Sequence, residues 1–144
     1  MVLGGTELPS EKGPAGHSDG DAVLHSIIDA ILGAAALGDI GSMFPDDEPE
    51  YESIDSATLV KRAVRAVSEN GWTVRNLDVN VILESPRLSP FIGAMRRRIA
   101  ALLGIDYDSV SVKAKTNEGL GDVGRGEAVV CHAVVLLESI GNGS

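Results

Sequence analysis

Three polar clusters contain the side chains that could do chemistry in this sequence. The first begins at His17 and Ser18 and continues through Asp21, His25 and Asp29. The last three residues are spaced four apart, so on a helix they would form one polar stripe opposite the apolar face. This stripe is typical of a helix cap with a solvated face, but His25 could equally be a metal ligand oriented by the neighbouring carboxylates. One imidazole does not make a metal site, so the spacing leaves both interpretations open.

The second cluster is a loop of glycines and carboxylates at 38–48. Glycine frees the backbone there, and Asp39 could accept hydrogen bonds from a diol such as a ribose. The carboxylates around Asp46 could meet the hydroxyl groups of a polar substrate. Without further context, the same composition favours an acidic surface loop.

The third cluster combines a hydroxyl group, a carboxylate, cations and glycines at 113–121 and 124–127. Glycines allow backbone amides to approach phosphate oxygens, and Arg125 could clamp a phosphate with its rigid guanidinium. Glu118 could hold Mg²⁺, which favours carboxylate oxygens and takes its other ligands from phosphates and water. The P-loop pattern GxxxxGK[ST] is absent from the sequence, so ordinary nucleotide hydrolysis is not indicated.

Cys131 and His132 are adjacent in a predicted strand and should therefore point to opposite faces. We interpret them as core and near-core positions and not as a catalytic Cys–His pair. A single cysteine excludes an internal disulfide framework and fits a reducing compartment.

The composition describes one globular domain covering residues 1–144, with 44% hydrophobic residues and a net charge of −9. A nucleic-acid-binding protein needs a basic surface, which this composition does not provide. The only cationic run, 96–98, is predicted to be mostly solvated, because consecutive residues on a helix point in different directions. The apolar stretches are too short to cross a bilayer, and no signal-peptide pattern is present.

Three helices are predicted from apolar residues at helical intervals. The first follows Ser18 and Asp21, which have the spacing of a capping box. The second runs from about 56 to 70, and the third has Ser89 as its N-cap and ends at Gly104. These helices would position the first two clusters and the cationic run.

Strands are predicted at 77–84, where apolar and polar residues alternate, and at 110–114. The last strand, 128–137, is apolar on both faces, which predicts a central strand covered on both sides. Residues 1–5 are interpreted as the end of a strand whose beginning is absent. Because helices and strands interleave, we expect an α/β or α+β domain with helices packed on one sheet.

Taken together, the clusters resemble the 2-C-methyl-D-erythritol 2,4-cyclodiphosphate synthase family. The likeness covers essentially the whole chain in the same order, and the first motif is long enough to be specific. Arg87 stands where lysine is commoner in that family. The segments that carry the resemblance are 15–21, 24–25, 29–30, 33–41, 44–46, 86–88, 113–118 and 124–127.

The resemblance implies an intramolecular phosphoryl transfer in non-mevalonate isoprenoid precursor biosynthesis. In 4-diphosphocytidyl-2-C-methyl-D-erythritol 2-phosphate, the 2-phosphate attacks the β-phosphate, closes a cyclic diphosphate and expels CMP. Two anionic groups must meet, so charge-neutralising metals and a pocket that folds the substrate are needed. A protein nucleophile is not required, which agrees with the lack of a convincing catalytic triad.

By resemblance, His17 and Thr116 position the phosphates and stabilise the transition state, with Ser18 assisting. The loop 83–89 would enclose cytosine through main-chain contacts, and 44–48 would line the methylerythritol pocket. The residues for which the resemblance implies substrate binding are His17, Ser18, Asp39, Gly41, Phe44, Asp46, Glu48, Leu83, Pro86, Arg87, Leu88, Ser89, Lys115, Thr116, Glu118 and Arg125.

The implied cofactors are Zn²⁺ or a similar divalent metal on His25, and Mg²⁺ or Mn²⁺ on Glu118. In the family, an Asp-x-His pair on an opening strand completes the zinc site, and no such pair precedes Gly4 in this sequence. Catalytic zinc normally has three protein ligands, so we expect weak zinc binding by this chain.

The family implies an α+β fold of the ferredoxin-like type, with a single mixed four-stranded-type sheet and helices on one face. It also implies a homotrimer with active sites between subunits, in the bacterial cytoplasm or the plastid stroma. The alternatives are an inactive truncated homologue acting as a trimeric binding or structural module, and a small regulatory nucleotide-binding protein.

Overall fold

A three-stranded mixed sheet forms the centre of the computed structural model, which describes residues 1–9, 20–45 and 55–141. Its strands are β3 (Trp72–Ile82), β4 (Val110–Lys115) and β5 (Val130–Ser139). In the order β4-β3-β5, β3 is parallel to β4 and antiparallel to β5. The mixed sheet confirms the α+β prediction, and three strands are described where a four-stranded type was expected.

Helices cover one face of this sheet, as predicted. The three longer ones are α1 (Ala22–Ala34), α3 (Ser56–Glu69) and α4 (Ile92–Leu103), and α2 (Ile40–Met43) and α5 (Gly121–Gly124) are single turns. Alternate residues of β3 point toward the helices and are buried, because side chains alternate between the faces of a strand. Parallel strands need a crossover connection, and α4 lies between β3 and β4 in the chain. No helix in these described ranges is both long and apolar enough to cross a membrane.

The boundaries of α3 and α4 agree closely with the sequence pattern. Asp55 caps α3 by accepting a hydrogen bond from the Thr58 N–H at 2.7 Å. A 3₁₀ turn at Ser89–Phe91 precedes α4, so Ser89 begins that turn and the prediction of a Ser89 N-cap is wrong. Gly104 ends α4 with φ +70, a left-handed conformation that glycine adopts without steric cost.

The start of α1 differs from the prediction. Asp21 is the N-cap, accepting a hydrogen bond from the Leu24 N–H at 2.9 Å, so the capping role predicted for Ser18 is wrong. Asp21 is also fully buried, and the polar stripe predicted through Asp21, His25 and Asp29 is therefore wrong at its first position. The apolar face of the helix is as predicted, and its buried members are Val23, Leu24, Ile27, Ile28, Ile31 and Leu32.

The opening residues form a hairpin of two short antiparallel strands, β1 (Val2–Leu3) and β2 (Thr6–Glu7). Gly4 and Gly5 have φ values of +60 and +72, as a two-residue turn of the type favoured in hairpins requires. The carboxylate of Asp21 accepts hydrogen bonds from both glycine N–H groups, at 2.9 and 2.8 Å. One buried side chain therefore ties the hairpin to the first turn of α1.

The position of strand β5 in the sheet differs from the prediction. It lies at an edge of the described three-stranded sheet, and its outward face is open, with Val134 71% and Leu136 55% exposed. The inward face packs against the core through Cys131 and Val135. The prediction of a central strand covered on both sides is thus wrong for the described part of one chain.

The three arginines of the cationic run 96–98 have two different environments. Arg96 lies over the Tyr107 ring, 3.9 Å from its centroid, and its Nε donates to the Val110 carbonyl at 2.7 Å. Arg97 and Arg98 are exposed, as predicted. Arg96 therefore fastens α4 to the residues that lead into β4.

Candidate functional site

The predicted site residues fall into two groups, one around α1 and the other where β3 and β4 end. His25, Asp29 and Asp39 belong to the first group, whereas Leu83 and Thr116 belong to the second. His17, Ser18, Asp46 and Glu48 lie outside the described residues.

His25 is half-buried on α1 and contacts α3. Its Nε2 lies 2.8 Å from Oγ of Ser56, a buried serine in the first turn of α3. The described ranges contain no group of three or more His, Cys, Asp or Glu side chains able to hold a metal ion. The described residues alone therefore do not fit a catalytic zinc site, which normally takes three protein ligands.

Asp39 presents an exposed carboxylate at the start of α2. Its Oδ1 accepts from the Ser42 N–H at 2.8 Å, while the Ser42 hydroxyl accepts from the Asp39 N–H at 3.1 Å. The hydrogen bond from the Ser42 N–H, followed by that of its hydroxyl, lowers the pKa of Asp39 below its ordinary value. Asp29 accepts from the Ile40 N–H at 2.7 Å, which ties this loop to α1. The result is a fixed, ionised acceptor at neutral pH, suited to a hydroxyl donor.

The segment after β3, predicted to enclose a base, is anchored by two buried leucines. Leu83 and Leu88 are 8% and 3% exposed, whereas the residues between them are half-buried or exposed. The Leu83 N–H donates to the Lys115 carbonyl at 2.9 Å, so this loop begins directly beside the end of β4. The Ser85–Pro86 peptide bond is cis. The arrangement leaves main-chain groups near the surface on a loop with fixed ends.

The segment after β4 has an unusual backbone conformation at Glu118. Its φ is +53, and its N–H donates to Oγ1 of Thr116 at 3.2 Å. The N–H groups of Asn117 and Gly119 donate to Oε2 and Oε1 of Glu84, at 3.0 and 3.1 Å. Thr116 and Glu118 are both exposed, so the hydroxyl and the carboxylate are available to a ligand.

Sequence reasoning did not single out Glu84 among the residues that shape this region. It was predicted as a polar residue alternating with apolar ones in a strand, and as a member of the loop 83–89 without a role for its side chain. Its partners lie 33 and 35 residues away, so no local pattern marks them. A carboxylate just after a strand with one buried face was the one available signal.

The short helix α5 folds back onto the loop that contains Glu118. A Cβ atom added at Gly124 would lie 2.1 Å from the Gly119 carbonyl carbon, so the close approach requires glycine. Arg125, predicted to contact phosphate, is exposed and forms ion pairs with Asp122 and Glu127. Its guanidinium therefore lies beside the loop, held by carboxylates that a phosphate could replace.

Two other candidate residues are in the core or near it. Phe44 is 6% exposed and belongs to the hydrophobic core of the described chain. Burial, and to a smaller extent the charge of Asp21, raises the pKa of Cys131 to about 12, and His132 lies on the opposite, exposed face of β5. A thiol with such a pKa is a poor nucleophile, which agrees with the interpretation that these two residues are not a catalytic pair. His132 is exposed, so the prediction of a core or near-core position is wrong for it.

The sequence matches the model of the YgbB family over residues 1–138. It is 51% identical to the 2-C-methyl-D-erythritol 2,4-cyclodiphosphate synthase of Chloroherpeton thalassium, over 97% of this chain and 89% of that protein. It is 52% identical to the synthase of Neisseria gonorrhoeae, over 97% of this chain and 88% of that protein.

Solved structures are similar in fold as well as in sequence. A 2C-methyl-D-erythritol-2,4-cyclodiphosphate synthase in its CDP-bound form has a TM-score of 0.88 and 35% identity, with 96% of this chain and 89% of that chain covered. The bifunctional IspDF of Campylobacter jejuni has a TM-score of 0.90 and 40% identity, with 97% of this chain and 38% of that longer chain covered.

Proposed function

Because the chain belongs to the YgbB family and shares about half of its residues with synthases along nearly its whole length, we infer that it is a 2-C-methyl-D-erythritol 2,4-cyclodiphosphate synthase. The reaction converts 4-diphosphocytidyl-2-C-methyl-D-erythritol 2-phosphate to the cyclic 2,4-diphosphate and CMP. A bond forms between a 2-phosphate oxygen and the β-phosphorus, and the bond from that phosphorus to the oxygen bridging to CMP breaks. The alternative of an inactive binding module is not favoured. The bacterial origin of both relatives supports a cytoplasmic location.

We propose that the loop after β4 binds the phosphates. Thr116 would donate its hydroxyl to a phosphate oxygen, and Lys115 and Arg125 would supply positive charge. His17 and Ser18 would act on the same phosphates from the segment before α1. The support for this assignment is the exposed hydroxyl and carboxylate on a loop fixed by hydrogen bonds to Glu84.

We also propose that Glu118 holds Mg²⁺ or Mn²⁺. A single exposed carboxylate fits Mg²⁺, because this ion is commonly bound by one or two carboxylates together with substrate phosphates and water. When bound, the metal would neutralise charge between the two reacting phosphates. Zinc is different, since the described residues contribute one imidazole, that of His25, and one imidazole does not make a catalytic zinc site.

The nucleoside end of the substrate would be bound by two segments. The main chain of the loop 83–89, which includes Pro86 and Arg87, would enclose cytosine. Asp39 and Gly41 would bind the ribose, and 44–48 would line the methylerythritol pocket. The structure of a relative in its CDP-bound form supports a cytidine pocket in this fold, and the lowered pKa of Asp39 supports its role as an acceptor.

Turnover and nucleotide selectivity test this function together. With Mg²⁺ present, we expect CMP to be released from the diphosphocytidyl substrate. In calorimetry, we expect CDP to bind about 5- to 150-fold more tightly than UDP, because unpaired polar groups in a site built for another base cost about 1–3 kcal/mol. Equal affinity for both nucleotides would contradict the proposed base pocket, and absence of CMP release would contradict the enzymatic function.

A homotrimer with active sites between subunits is a further part of the proposal. The open face of β5 exposes Val130, Val134 and Leu136, and an apolar stripe on a strand is typical of a surface covered by a partner. In a cyclic assembly of identical chains, the stripe of one subunit would meet a neighbouring subunit. Such contacts would bring the predicted site residues around α1 of one subunit close to those at the ends of β3 and β4 of the next subunit.

Charge placed on this stripe should dissociate the assembly. We expect Val134→Glu combined with Leu136→Glu to reduce the mass measured by light scattering from three chains to one, because buried carboxylates without partners are costly. Ala101→Glu, on the exposed side of α4, is the matched control and should leave the mass unchanged. A double variant that stays trimeric and folded would show that another surface joins the subunits.

A further inference from the structure

Glu84 links two loops that are far apart in the sequence. It follows β3 at the start of the loop proposed to enclose cytosine. Its Oε2 accepts from the Asn117 N–H at 3.0 Å, and its Oε1 accepts from the Gly119 N–H at 3.1 Å. Both oxygens of one carboxylate are therefore directed at the backbone of the loop proposed to bind the phosphates and the metal.

The two N–H groups that Glu84 binds are on either side of Glu118. Glu118 has φ +53, a left-handed conformation that is unfavourable for a residue with a side chain. Its own N–H donates to Oγ1 of Thr116 at 3.2 Å, so three successive N–H groups are bound by side-chain oxygens. Backbone N–H groups that converge on an anion favour such a turn, and here the anion is a side chain of the same molecule.

We propose that Glu84 is a positioning residue for the cyclisation reaction. By binding the backbone before and after Glu118, its carboxylate fixes the direction in which the Glu118 side chain leaves the loop. Glu84 belongs to the loop 83–89, which is proposed to enclose cytosine. The same contacts therefore fix the loop after β4, which is proposed to bind the phosphates, relative to the loop 83–89. This inference rests on the proposed roles of Thr116 and Glu118. It adds a side chain that acts through the backbone of the loop after β4 and does not itself contact the substrate.

Glu84→Ala tests the proposal by removing both acceptors. Residues that orient metal ligands typically contribute about 10–100-fold to activity or metal affinity. We expect kcat for CMP release to fall within that range, and the Mg²⁺ concentration at half-maximal activity to rise. Glu84→Gln keeps one acceptor but turns an NH₂ group toward the other N–H, so its values should lie between those of wild type and Glu84→Ala.

A direct readout of the contacts does not depend on catalysis. In ¹⁵N-labelled protein, the Asn117 and Gly119 amides should exchange with solvent faster in Glu84→Ala than in wild type. The matched control is Glu69→Ala, whose carboxylate pairs with Arg65 on the exposed surface of α3. This control should change neither amide exchange in the loop nor kcat.

Unchanged exchange of both amides in Glu84→Ala would overturn the proposal, because the contacts would then not hold the loop. Faster exchange with unaltered kcat and Mg²⁺ dependence would also overturn it, because Glu84 would then be only a structural link. An equal loss of activity in Glu69→Ala would show that the effect is not specific to this contact. Failure of the function itself would be seen in the wild-type protein as absent CMP release, and is thereby distinguished from failure of the positioning role.

Discussion

Replacing Glu118 with glutamine is expected to lower kcat for CMP release at least about 100-fold, the lower end of the loss caused by removing one group that stabilises transition-state charge. Glutamine keeps the length and shape of the side chain but removes the charge that Mg²⁺ prefers in its ligands. The side chain is exposed, so little packing is lost and the variant should remain folded. CMP release measured over a range of Mg²⁺ concentrations gives both kcat and the metal dependence.

Thr116→Val is the companion variant. It keeps the branched shape at Cβ but removes the hydroxyl that accepts the Glu118 N–H and that is proposed to bind a phosphate. We expect a smaller loss than for Glu118→Gln, with the folded circular-dichroism signal retained. Loss of that signal in either variant would mean that these residues support the fold, and full activity in both would contradict their proposed roles.

The second large effect is expected for stability. Asp21→Ala should lower the free energy of unfolding by about 3–9 kcal/mol, because each of the three N–H groups left without an acceptor costs about 1–3 kcal/mol. Those groups belong to Gly4, Gly5 and Leu24, and the first and last are buried. Since a typical domain is stable by only about 5–15 kcal/mol, this variant should be close to unfolding.

Asp55→Ala provides the comparison for Asp21→Ala. Asp55 is also the N-cap of a long helix, but it is exposed and its side chain accepts the Thr58 N–H. Loss of such a cap typically costs about 1 kcal/mol. Urea denaturation of both variants at one protein concentration measures the difference and keeps any contribution of association between chains constant. Equal losses would contradict the structural importance assigned to the buried Asp21 contacts.

Local patterns predicted much of the fold. The spacing of apolar residues located α3 and α4 to within about a turn, and Gly104 correctly marked the end of α4. Alternation along 77–84 correctly identified the buried side of β3, although the strand begins earlier, at Trp72. These features depend on neighbours within one or two turns of the chain, which is why sequence spacing reveals them.

Features that depend on distant partners were not predictable. The spacing of Asp21 suggested a solvated helix face, whereas its partners include the N–H groups of Gly4 and Gly5 in a separate hairpin. Glu84 acts on residues more than thirty positions away. The apolar residues on both faces of β5 predicted two covered faces, whereas the outer face is open in the described part of one chain. A sequence pattern reports that a surface should be buried and does not identify its partner.

The position of Cys131 has a practical consequence. This lone thiol lies on the inward face of β5 against the helical layer, and its pKa of about 12 keeps it protonated at neutral pH. Because the thiol is half-buried and its pKa is raised, a thiol reagent should modify it slowly in the folded protein and faster when β5 separates from the helices. The increase of the labelling rate above that slow reaction then reports the separation of sheet and helices, and its dependence on denaturant separates local opening from global unfolding. The protein thus contains its own probe of core dynamics, without any introduced label site.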